Sequence, residues 1–448
     1  MSSTVSIRSK ASSSTTAAAI SLDDRRVMRI ELDCGAPGTG LTPADAAVVE
    51  AAIDEAVRSA LPIVAIVATN GVSIDGGLDS VAGWGRAAKA LVRASGVVPT
   101  VFIAAGPVVS GPALLLGLAD VTIFTEDAYA FVSGPAMVES FTGVPISNLA
   151  LGGSGAHSRS SGVASLVVTD LDSAMDAAAA VLGHLPDHVD LAPPMIDSDD
   201  PVDRLSDQAG SIVPATATGS YDVRSVIRDV FDDGEFLELR GSWAPNLVTG
   251  FASLGGQSVG IVANQTQALA GSIDIPASQK GARFVALCDA FNVPLITLVD
   301  TSGFLPGKDL EWRGMIRHGA QLAFAYARAT VPRLGLILRK SYGGAYIVMD
   351  SRFMGNDLMM AWPTAEVAVM GAKGAVEILH RKATPEERVE LEAAYAGKHL
   401  TPYPTAERGS ISMVIEPDDT RRELAAGLEM LLSKREKLRP RRHDNTPL

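Results

Sequence analysis

A chain of 448 residues is too long for one ordinary hydrophobic core, so the sequence predicts two or three domains. Apolar residues make up 47% of it and charged residues 20%, which is typical of a packed globular protein and excludes a disordered one. A formal charge of −13 argues against general binding to nucleic acid or to an anionic membrane surface.

The cysteines and the apolar runs narrow the class of protein further. Cys34 and Cys288 belong to no CxxC or Cys/His spacing, which indicates core residues in a reducing compartment, without a disulfide or a metal site. No apolar run approaches the roughly 18–20 residues that a membrane-spanning helix needs. Residues 1–27 lack the apolar core of a signal peptide and are predicted to be a disordered start. We therefore expect a cytoplasmic protein.

From Val27 onward, strand-like and helix-like segments alternate. Thr42 is predicted to cap a helix whose first residue is Pro43, and the short apolar runs around this helix are typical of buried strands. Such alternation predicts an α/β fold with a mostly parallel sheet and helical crossovers. In chain order, the predicted elements of this part are a strand over 27–32, a helix over 43–59, a strand over 63–68, a second helix, and a strand over 100–105.

The composition changes between Leu191 and Gly219. This stretch is polar and rich in proline, as domain linkers are, and the alternation of strands and helices resumes after Tyr221. The predicted division is a disordered segment over 1–27, a first domain over 28–200, a linker over 201–220 and a second domain over 221–448.

Three short segments of the first half recur in the same order in the second half. Their offsets drift slowly, from 232 to 233 to 237 residues. Three ordered matches indicate a tandem duplication of one α/β unit. The segments are centred on Pro62 and Pro294, on Pro99 and Pro332, and on Gly134 and Gly371.

A glycine turn follows a predicted strand in each half. In the second half it is Tyr342-Gly343-Gly344-Ala345. Glycine lets the backbone approach a ligand closely and point successive N–H groups at one spot. Two such donors can form an oxyanion hole, which stabilises an oxygen that becomes negative during a reaction. The glycines alone leave open the alternative that they only permit close packing of strand and helix.

The segments around this turn resemble the carboxyltransferase β-subunits of acetyl-CoA and propionyl-CoA carboxylases, of the actinobacterial type. In residues 28–200 the likeness is looser and is carried by 93–99, 110–114 and 151–153. Over 221–448 it is nearly continuous. The segments that carry it there are 221–224, 282–285, 288–291, 303–307, 339–346, 361–372 and 442–448.

The resemblance implies two tandem crotonase-like domains of the ClpP/crotonase type, assembled as dimers into a hexamer. The N-terminal domain of one subunit would hold the coenzyme A thioester, and the C-terminal domain of its partner the carboxybiotin. Biotin would arrive on a separate carrier that is charged by an ATP-dependent biotin carboxylase. The implied activity is transfer of a carboxyl group to the α-carbon of acetyl-CoA or propionyl-CoA.

Matching to the family also implies site residues. The N–H groups of Gly344 and Ala345 would stabilise negative charge on the biotin ureido oxygen, and Gly106 would act in the corresponding hole for the acyl thioester. Ile347 would help to set the acyl-chain preference, although core packing explains it equally well. The remaining substrate-binding and biotin-binding candidates are Gly343, Tyr346, Gly371, Ala372, Pro107 and Gly134.

The first half departs from the family at its glycine turn, which is predicted to be residues 104–107. Pro107 has no N–H, so one of the two expected enolate donors is missing, a loss worth roughly 10²–10³ in rate. Three interpretations stay open. The acyl site has been rebuilt for a different acyl substrate, with a shifted donor or a water in place of the lost N–H; the protein decarboxylates a carboxyacyl thioester; or it is a non-catalytic partner of an intact homologous carboxyltransferase.

Overall fold

The structure is a computed structural model and describes residues 6–7, 13–36, 39–216, 218–440 and 442–447. It divides into two compact units. The first comprises the described residues up to Pro194, with 240–243 and 290–292, and the second comprises the rest from Met195 onward. Within the described residues each unit contains one eight-stranded sheet. The predicted α/β class is confirmed.

The first unit is built on a sheet with the strand order β1-β2-β3-β4-β5-β6-β8, and β7 pairs with the end of β5. The pairs from β3 to β8 are parallel, and β2 is antiparallel to β3. Its strands are β1 (Ser6–Ile7), β2 (Thr16–Leu22), β3 (Arg25–Cys34), β4 (Ile63–Thr69), β5 (Thr100–Val109), β6 (Val121–Thr125), β7 (Tyr129–Phe131) and β8 (Leu166–Val168). Its helices are α1 (Pro43–Arg58), α2 (Gly77–Ala94), α3 (Leu114–Leu118), α4 (Pro135–Thr142), α5 (Asn148–Gly152), α6 (Ser154–Ala156) and α7 (Leu171–Gly183), with a 3₁₀ turn at Gly111–Ala113 and a π-helical turn at His157–Ser161.

Helix α1 begins as predicted. Thr42 is its N-cap, and its hydroxyl accepts a hydrogen bond from Asp45 N while the Asp45 carboxylate accepts one from Thr42 N. Pro43 occupies the first turn, where a missing N–H costs nothing. The buried face of α1 packs its Ala, Val and Ile side chains against the sheet, and this contact forms the core of the unit.

The prediction of a disordered start over 1–27 is wrong where the structure describes it. Residues 16–22 form β2, and Thr15 N and Oγ1 each lie 3.0 Å from Asp45 Oδ1. Ser13 Oγ lies 2.7 Å from the same oxygen. Burial opposes ionisation of Asp45, but hydrogen bonds from Thr42 and Ser13 outweigh it and lower its pKa to about 2. The Ser/Thr-rich composition therefore serves a buried carboxylate. Residues 1–5 and 8–12 lie outside the described residues.

The second unit repeats this plan with the strand order β16-β14-β13-β12-β11-β10-β9, and β15 pairs with the end of β13. Its strands are β9 (Leu237–Glu238), β10 (Leu247–Leu254), β11 (Gln257–Asn264), β12 (Leu295–Thr301), β13 (Arg333–Tyr342), β14 (Leu358–Ala361), β15 (Glu366–Ala368) and β16 (Met413–Val414). Its helices are α8 (Ala209–Ile212), α9 (Val223–Val230), α10 (Ile275–Ala290), α11 (Lys308–Trp312), α12 (Met315–Arg328), α13 (Gly343–Val348), α14 (Ala372–Leu379), α15 (Pro385–His399), α16 (Tyr403–Glu407) and α17 (Thr420–Leu431), with 3₁₀ turns at Asp232–Gly234, Leu269–Gly271, Arg352–Met354 and Pro417–Asp419.

The predicted linker over 201–220 belongs to the second unit as far as it is described. The buried side chain of Arg421 donates to Pro201 O at 3.0 Å and to Asp232 Oδ1 at 2.7 Å. Ser206 is buried too, and its N–H donates to Asp418 O at 2.8 Å. Its proline and aspartate residues give this stretch the composition of a linker. The hydrogen bonds to the buried Arg421 nevertheless hold the stretch against the second unit.

The registers of the two sheets confirm the predicted duplication. The pairs Ile63↔Thr100 and Leu295↔Arg333 are equivalent across β4–β5 and β12–β13. Across β5–β7 and β13–β15, Pro107↔Tyr129 corresponds to Lys340↔Glu366, and the neighbouring pairs follow in step. Residues of β4, β5 and β7 therefore lie 232, 233 and 237 positions before their counterparts in β12, β13 and β15. These are the same offsets that separate the repeated sequence segments.

Within the part of the chain that the structure describes, no helix is both long and apolar enough to cross a membrane.

Candidate active site

The glycine turn of the second unit joins β13 to α13. Gly343 has a φ of 59°, and a β-carbon on it would lie 3.2 Å from Val369 O, so both backbone conformation and space favour glycine. The first N–H groups of a helix have no acceptor within the helix. Those of Gly344 and Ala345 belong to this set, so the turn presents two adjacent donors.

A cleft of about 620 Å³ opens beside this turn. Its walls include Gly343, Gly344 and Tyr346, which were predicted on the biotin side, and Ile347, which was predicted to help set the acyl-chain preference. Val369 also lines the cleft, whereas Ala345 is buried and does not. The cleft is mostly apolar, which suits a ring system whose polar atoms are confined to one edge.

Two other predicted biotin-side residues lie just outside this cleft. Gly371 caps α14, and Ala372 is the first residue of that helix. A β-carbon on Gly371 would lie 3.4 Å from the Tyr342 ring, so Gly371 supports the strand that leads into the turn. Neither residue is among those that line the cleft.

A buried polar cluster holds the end of β13, directly before the turn. Asp300 Oδ2 accepts hydrogen bonds from Tyr221 Oη at 2.9 Å and from Arg339 Nε at 3.1 Å. Asp300 Oδ1 accepts one from Lys340 N at 3.2 Å. Burial raises the pKa of Asp300, while the Arg339 charge and the Tyr221 hydroxyl oppose that rise. The cluster ties β12 to β13 and so fixes where the turn begins.

Lys340 and Tyr342 bring two more titratable groups close to the turn. Burial, together with the nearby Arg339 charge, lowers the pKa of Lys340. The Tyr342 hydroxyl is hydrogen-bonded to the Glu366 carboxylate, and burial and this bond raise the pKa of Tyr342. Tyr342 is therefore a neutral hydroxyl at pH 7, and the glutamate fixes its orientation.

The register corrects the prediction for the first unit. Gly106 and Pro107 lie inside β5, not in a turn, and Pro107 occupies the place that Lys340 has in β13. The strand tolerates them because its register shifts between Val67 and Thr69 of the neighbouring β4, and proline is accommodated at such irregularities.

The turn that corresponds to 343–345 is Ser110-Gly111-Pro112. Ser110 follows β5 as Gly343 follows β13, and its φ of 64° lies in the same left-handed region. The segment was visible in the sequence as part of the resemblance, but its role as the turn was not predicted. The Gly-Pro pair at 106–107 gives the same turn signal as the Gly-Pro pair at 111–112, five residues later, so the dipeptide alone could not decide between them.

A backbone donor is nevertheless missing from the first unit, at Pro112 and not at Pro107. Pro112 stands where Ala345 stands in the second unit and has no N–H. Ser110 N donates to Phe131 O at 2.8 Å. Gly111 keeps an N–H, and a β-carbon on it would lie 2.7 Å from the Trp84 ring, so a larger residue there would force the ring or the turn to shift.

Gly134, the remaining predicted acyl-side residue, is the N-cap of α4, as Gly371 is of α14. A β-carbon on it would lie 3.2 Å from the Phe131 ring. Among the described residues, no group of three or more His, Cys, Asp or Glu side chains could hold a metal ion.

Two observations identify the family of this chain. Its two repeated units each contain a turn with a backbone N–H donor, and a family model matches almost the whole chain. The model of the carboxyl transferase domain matches residues 24–446. The chain belongs to the carboxyl transferase family.

Two similar proteins illustrate the range of this family. The propionyl-CoA carboxylase carboxyltransferase subunit of Haloferax mediterranei is 41% identical over 403 residues, which cover 88% of this chain and 78% of that protein. The methylmalonyl-CoA decarboxylase subunit alpha of Veillonella parvula is 39% identical over 428 residues, which cover 95% of this chain and 84% of that protein.

Among solved structures, the chain is similar to the transcarboxylase 12S crystal structure, described as a hexamer with methylmalonyl-coenzyme A and methylmalonic acid bound. The TM-score is 0.94 at 39% sequence identity, and the match covers 97% of this chain and 85% of that one. The prediction of a carboxyltransferase family member with tandem crotonase-like domains is confirmed.

Proposed function

We propose that this chain is the carboxyltransferase component of a biotin-dependent acyl-CoA carboxylase and transfers a carboxyl group from carboxybiotin to the α-carbon of propionyl-CoA. The observation that carries the proposal is the turn of the second unit, where Gly344 and the buried Ala345 contribute adjacent N–H groups at the start of α13 and Gly344 lines an apolar cleft of about 620 Å³. The carboxylase relative named for propionyl-CoA and the neighbour with bound methylmalonyl-coenzyme A support the choice of substrate.

The residues around the cleft fit biotin. Its walls at Ile347 and Val369 are apolar, the absence of a β-carbon at Gly343 and Gly344 leaves a cradle, and backbone N–H groups suit a ureido oxygen. Biotin, carried on a separate subunit, supplies the activated carboxyl group when it is bound.

The residues of the chain do three things in this mechanism. The N–H groups of Gly344 and Ala345 bind an oxygen that becomes more negative as the reaction proceeds, and this preorganised binding is worth most where water is excluded. The apolar wall keeps water away. The cluster of Asp300, Arg339 and Tyr221 holds the strand end so that the two donors keep their direction. No histidine is assigned a role as acid or base.

The second candidate function is decarboxylation of a carboxyacyl thioester. The Veillonella relative favours it, because the match to that decarboxylase subunit covers 95% of this chain. Both functions pass through negative charge on the thioester oxygen, so the geometry of the turns suits either of them.

One experiment separates these functions. The purified chain is incubated with methylmalonyl-CoA, with and without free biotin, and propionyl-CoA and carbon dioxide are quantified. Propionyl-CoA that forms only when biotin is present supports carboxyl transfer. Carbon dioxide release that is independent of biotin supports the decarboxylase. A chain that does neither, yet binds an intact homologous carboxyltransferase, is a non-catalytic partner.

The finer details of assembly and location extend the proposal. We expect a homo-oligomer, with the hexamer of the 12S neighbour as its pattern, which works with a biotin carboxylase and a biotin carrier protein. For location we propose the cytoplasm, because Cys34 and Cys288 are both buried and free. Light scattering of the purified chain tests the assembly.

A further inference from the structure

Ser110 has a backbone conformation that favours glycine. Its φ is 64° and its ψ is −148°, a combination in which any β-carbon is strained. The equivalent residue of the second unit is Gly343, with a φ of 59°. Glycine at 110 would relieve this strain, so the serine side chain is present at a conformational cost. Strain of this kind, retained at the counterpart of the Gly343 turn, points to a role for the side chain.

The surroundings accommodate this side chain without binding it. A β-carbon on Gly71 would lie 3.3 Å from Ser110 Cβ, so the glycine at 71 leaves the room that the serine occupies. Ser110 is exposed, and among the described residues no side chain or backbone group is hydrogen-bonded to its hydroxyl. The hydroxyl is therefore free to rotate about χ1 and to donate to a ligand.

The same turn has one backbone donor fewer than its counterpart. Pro112 has no N–H, and the N–H of Ser110 is occupied by Phe131 O at 2.8 Å. Only the N–H of Gly111 is left in the turn for a substrate. An oxyanion hole normally uses two donors, and the loss of one is costly. The free hydroxyl of Ser110 adjoins Gly111 in the chain.

On the basis of the proposed function, we propose that the Ser110 hydroxyl is a catalytic donor which, together with the Gly111 N–H, binds the thioester oxygen of the acyl-CoA. In the direction from methylmalonyl-CoA, the bond between the α-carbon and the carboxylate breaks, and its electron pair is delocalised onto the thioester oxygen. The carboxyl group leaves to the biotin nitrogen, whose proton passes to the α-carbon. The two donors stabilise the negative oxygen between these events.

A donor fits the surroundings of Ser110 better than a nucleophile does. A serine nucleophile needs a base within hydrogen-bond reach. Among the described residues, no histidine or carboxylate is hydrogen-bonded to the Ser110 hydroxyl. Hydrogen-bond donation requires no such base.

The test measures kcat and KM for transfer from methylmalonyl-CoA to free biotin with the full chain and four variants. Ser110→Ala removes the hydroxyl and keeps the strain, Ser110→Gly removes both, and Pro112→Ala adds an N–H. The double variant Ser110→Gly/Pro112→Ala recreates the Gly-Gly-Ala of the second unit.

We expect both single variants at 110 to lose kcat by about 10²-fold with little change in KM. Pro112→Ala should not lower kcat, because it adds a donor and removes none, and the double variant should regain most of the lost rate, because a new N–H replaces the lost hydroxyl. Ser110→Gly should also raise the midpoint of thermal unfolding while it lowers kcat, an opposition that a purely structural role does not produce.

Three results would overturn the inference. The first is an active native chain whose kcat is unchanged in both Ser110 variants. The second is a double variant that stays as slow as Ser110→Gly. The third is a stable acyl adduct on Ser110, seen by mass spectrometry, which would make the serine a nucleophile. A native chain and a double variant that both turn over nothing reject the proposed function itself, whereas activity that appears only in the double variant rejects the role of Ser110 alone.

Discussion

Arg339 Nε lies 3.1 Å from Asp300 Oδ2 inside the second unit, with 5% and 1% of the two side chains exposed. Removing one partner of such a pair leaves an uncompensated buried charge. We expect Arg339→Met to lower the free energy of unfolding by about 3–5 kcal/mol, measured by urea denaturation.

The matched control for this prediction is Arg58→Met, because the Arg58 side chain pairs with Glu55 but is 71% exposed. Exposed pairs contribute little, so its unfolding curve should overlay that of the native chain. The double variant Arg339→Met/Asp300→Leu removes both charges and should be more stable than Arg339→Met alone. Equal stability of the native chain and Arg339→Met would contradict the role of the pair.

The backbone of Gly343 predicts a second effect. Gly343→Ala places a β-carbon at a φ of 59° and 3.2 Å from Val369 O. We expect a loss of about 1–3 kcal/mol in unfolding free energy, together with weaker biotin-dependent transfer. Gly374→Ala, inside α14 with nothing nearer than 3.7 Å, should instead gain about 0.5–1 kcal/mol. If Gly343→Ala and Gly374→Ala change the unfolding free energy by the same amount, neither the φ nor the space at Gly343 requires glycine.

Asp45 predicts a pH dependence of stability. Its pKa in the folded chain is lowered from 3.8 to about 2, so its ionised form stabilises the fold above roughly pH 4. That contribution falls as the pH drops through 2. We expect the unfolding midpoint of Asp45→Asn to lie well below that of the native chain at pH 6 and to approach it near pH 2. A difference that is the same at both pH values would refute the prediction.

The packing of Trp84 on Gly111 predicts a coupled pair. Gly111→Ala puts a β-carbon 2.7 Å from the Trp84 ring, which must shift the acyl-side turn. We expect a raised KM for methylmalonyl-CoA, partly reversed in Gly111→Ala/Trp84→Leu. Gly117→Ala, with nothing within 4 Å of its new β-carbon, is the control and should leave KM unchanged. Additive effects of the first two changes would show that they do not act through this contact.

The repeat was predictable from the sequence because its physical cause is local. Prolines before two strands and a glycine after a third mark the same positions in both units, and the strand registers keep their spacing. The cap at Thr42 was predictable for the same reason. Such signals depend on residues a few positions apart.

Other features depend on contacts that the sequence does not display. Ser13 and Thr15 pair with Asp45 across about thirty residues, and this contact orders a segment whose composition is that of a disordered one. Pro107 is a strong turn signal, yet an irregularity in the pairing of β5 with β4 accommodates it inside β5. The position of the acyl-side turn at Ser110 could be found only from the register of the β5–β7 and β13–β15 strand pairs.

The most direct test of the central claim uses the residue that the two turns do not share. In the first unit, Pro112 occupies the position that Ala345 has in the second unit, and it lies within a helical turn. The equivalent backbone position can therefore hold a proline. Ala345→Pro removes one N–H from the turn on the biotin side. Transfer from methylmalonyl-CoA to free biotin is measured for the native chain, Ala345→Pro and the control Ala345→Gly. We predict biotin-dependent formation of propionyl-CoA that falls by about 10²–10³-fold in Ala345→Pro and stays near the native rate in Ala345→Gly. Transfer by a folded Ala345→Pro at the native rate would contradict the account.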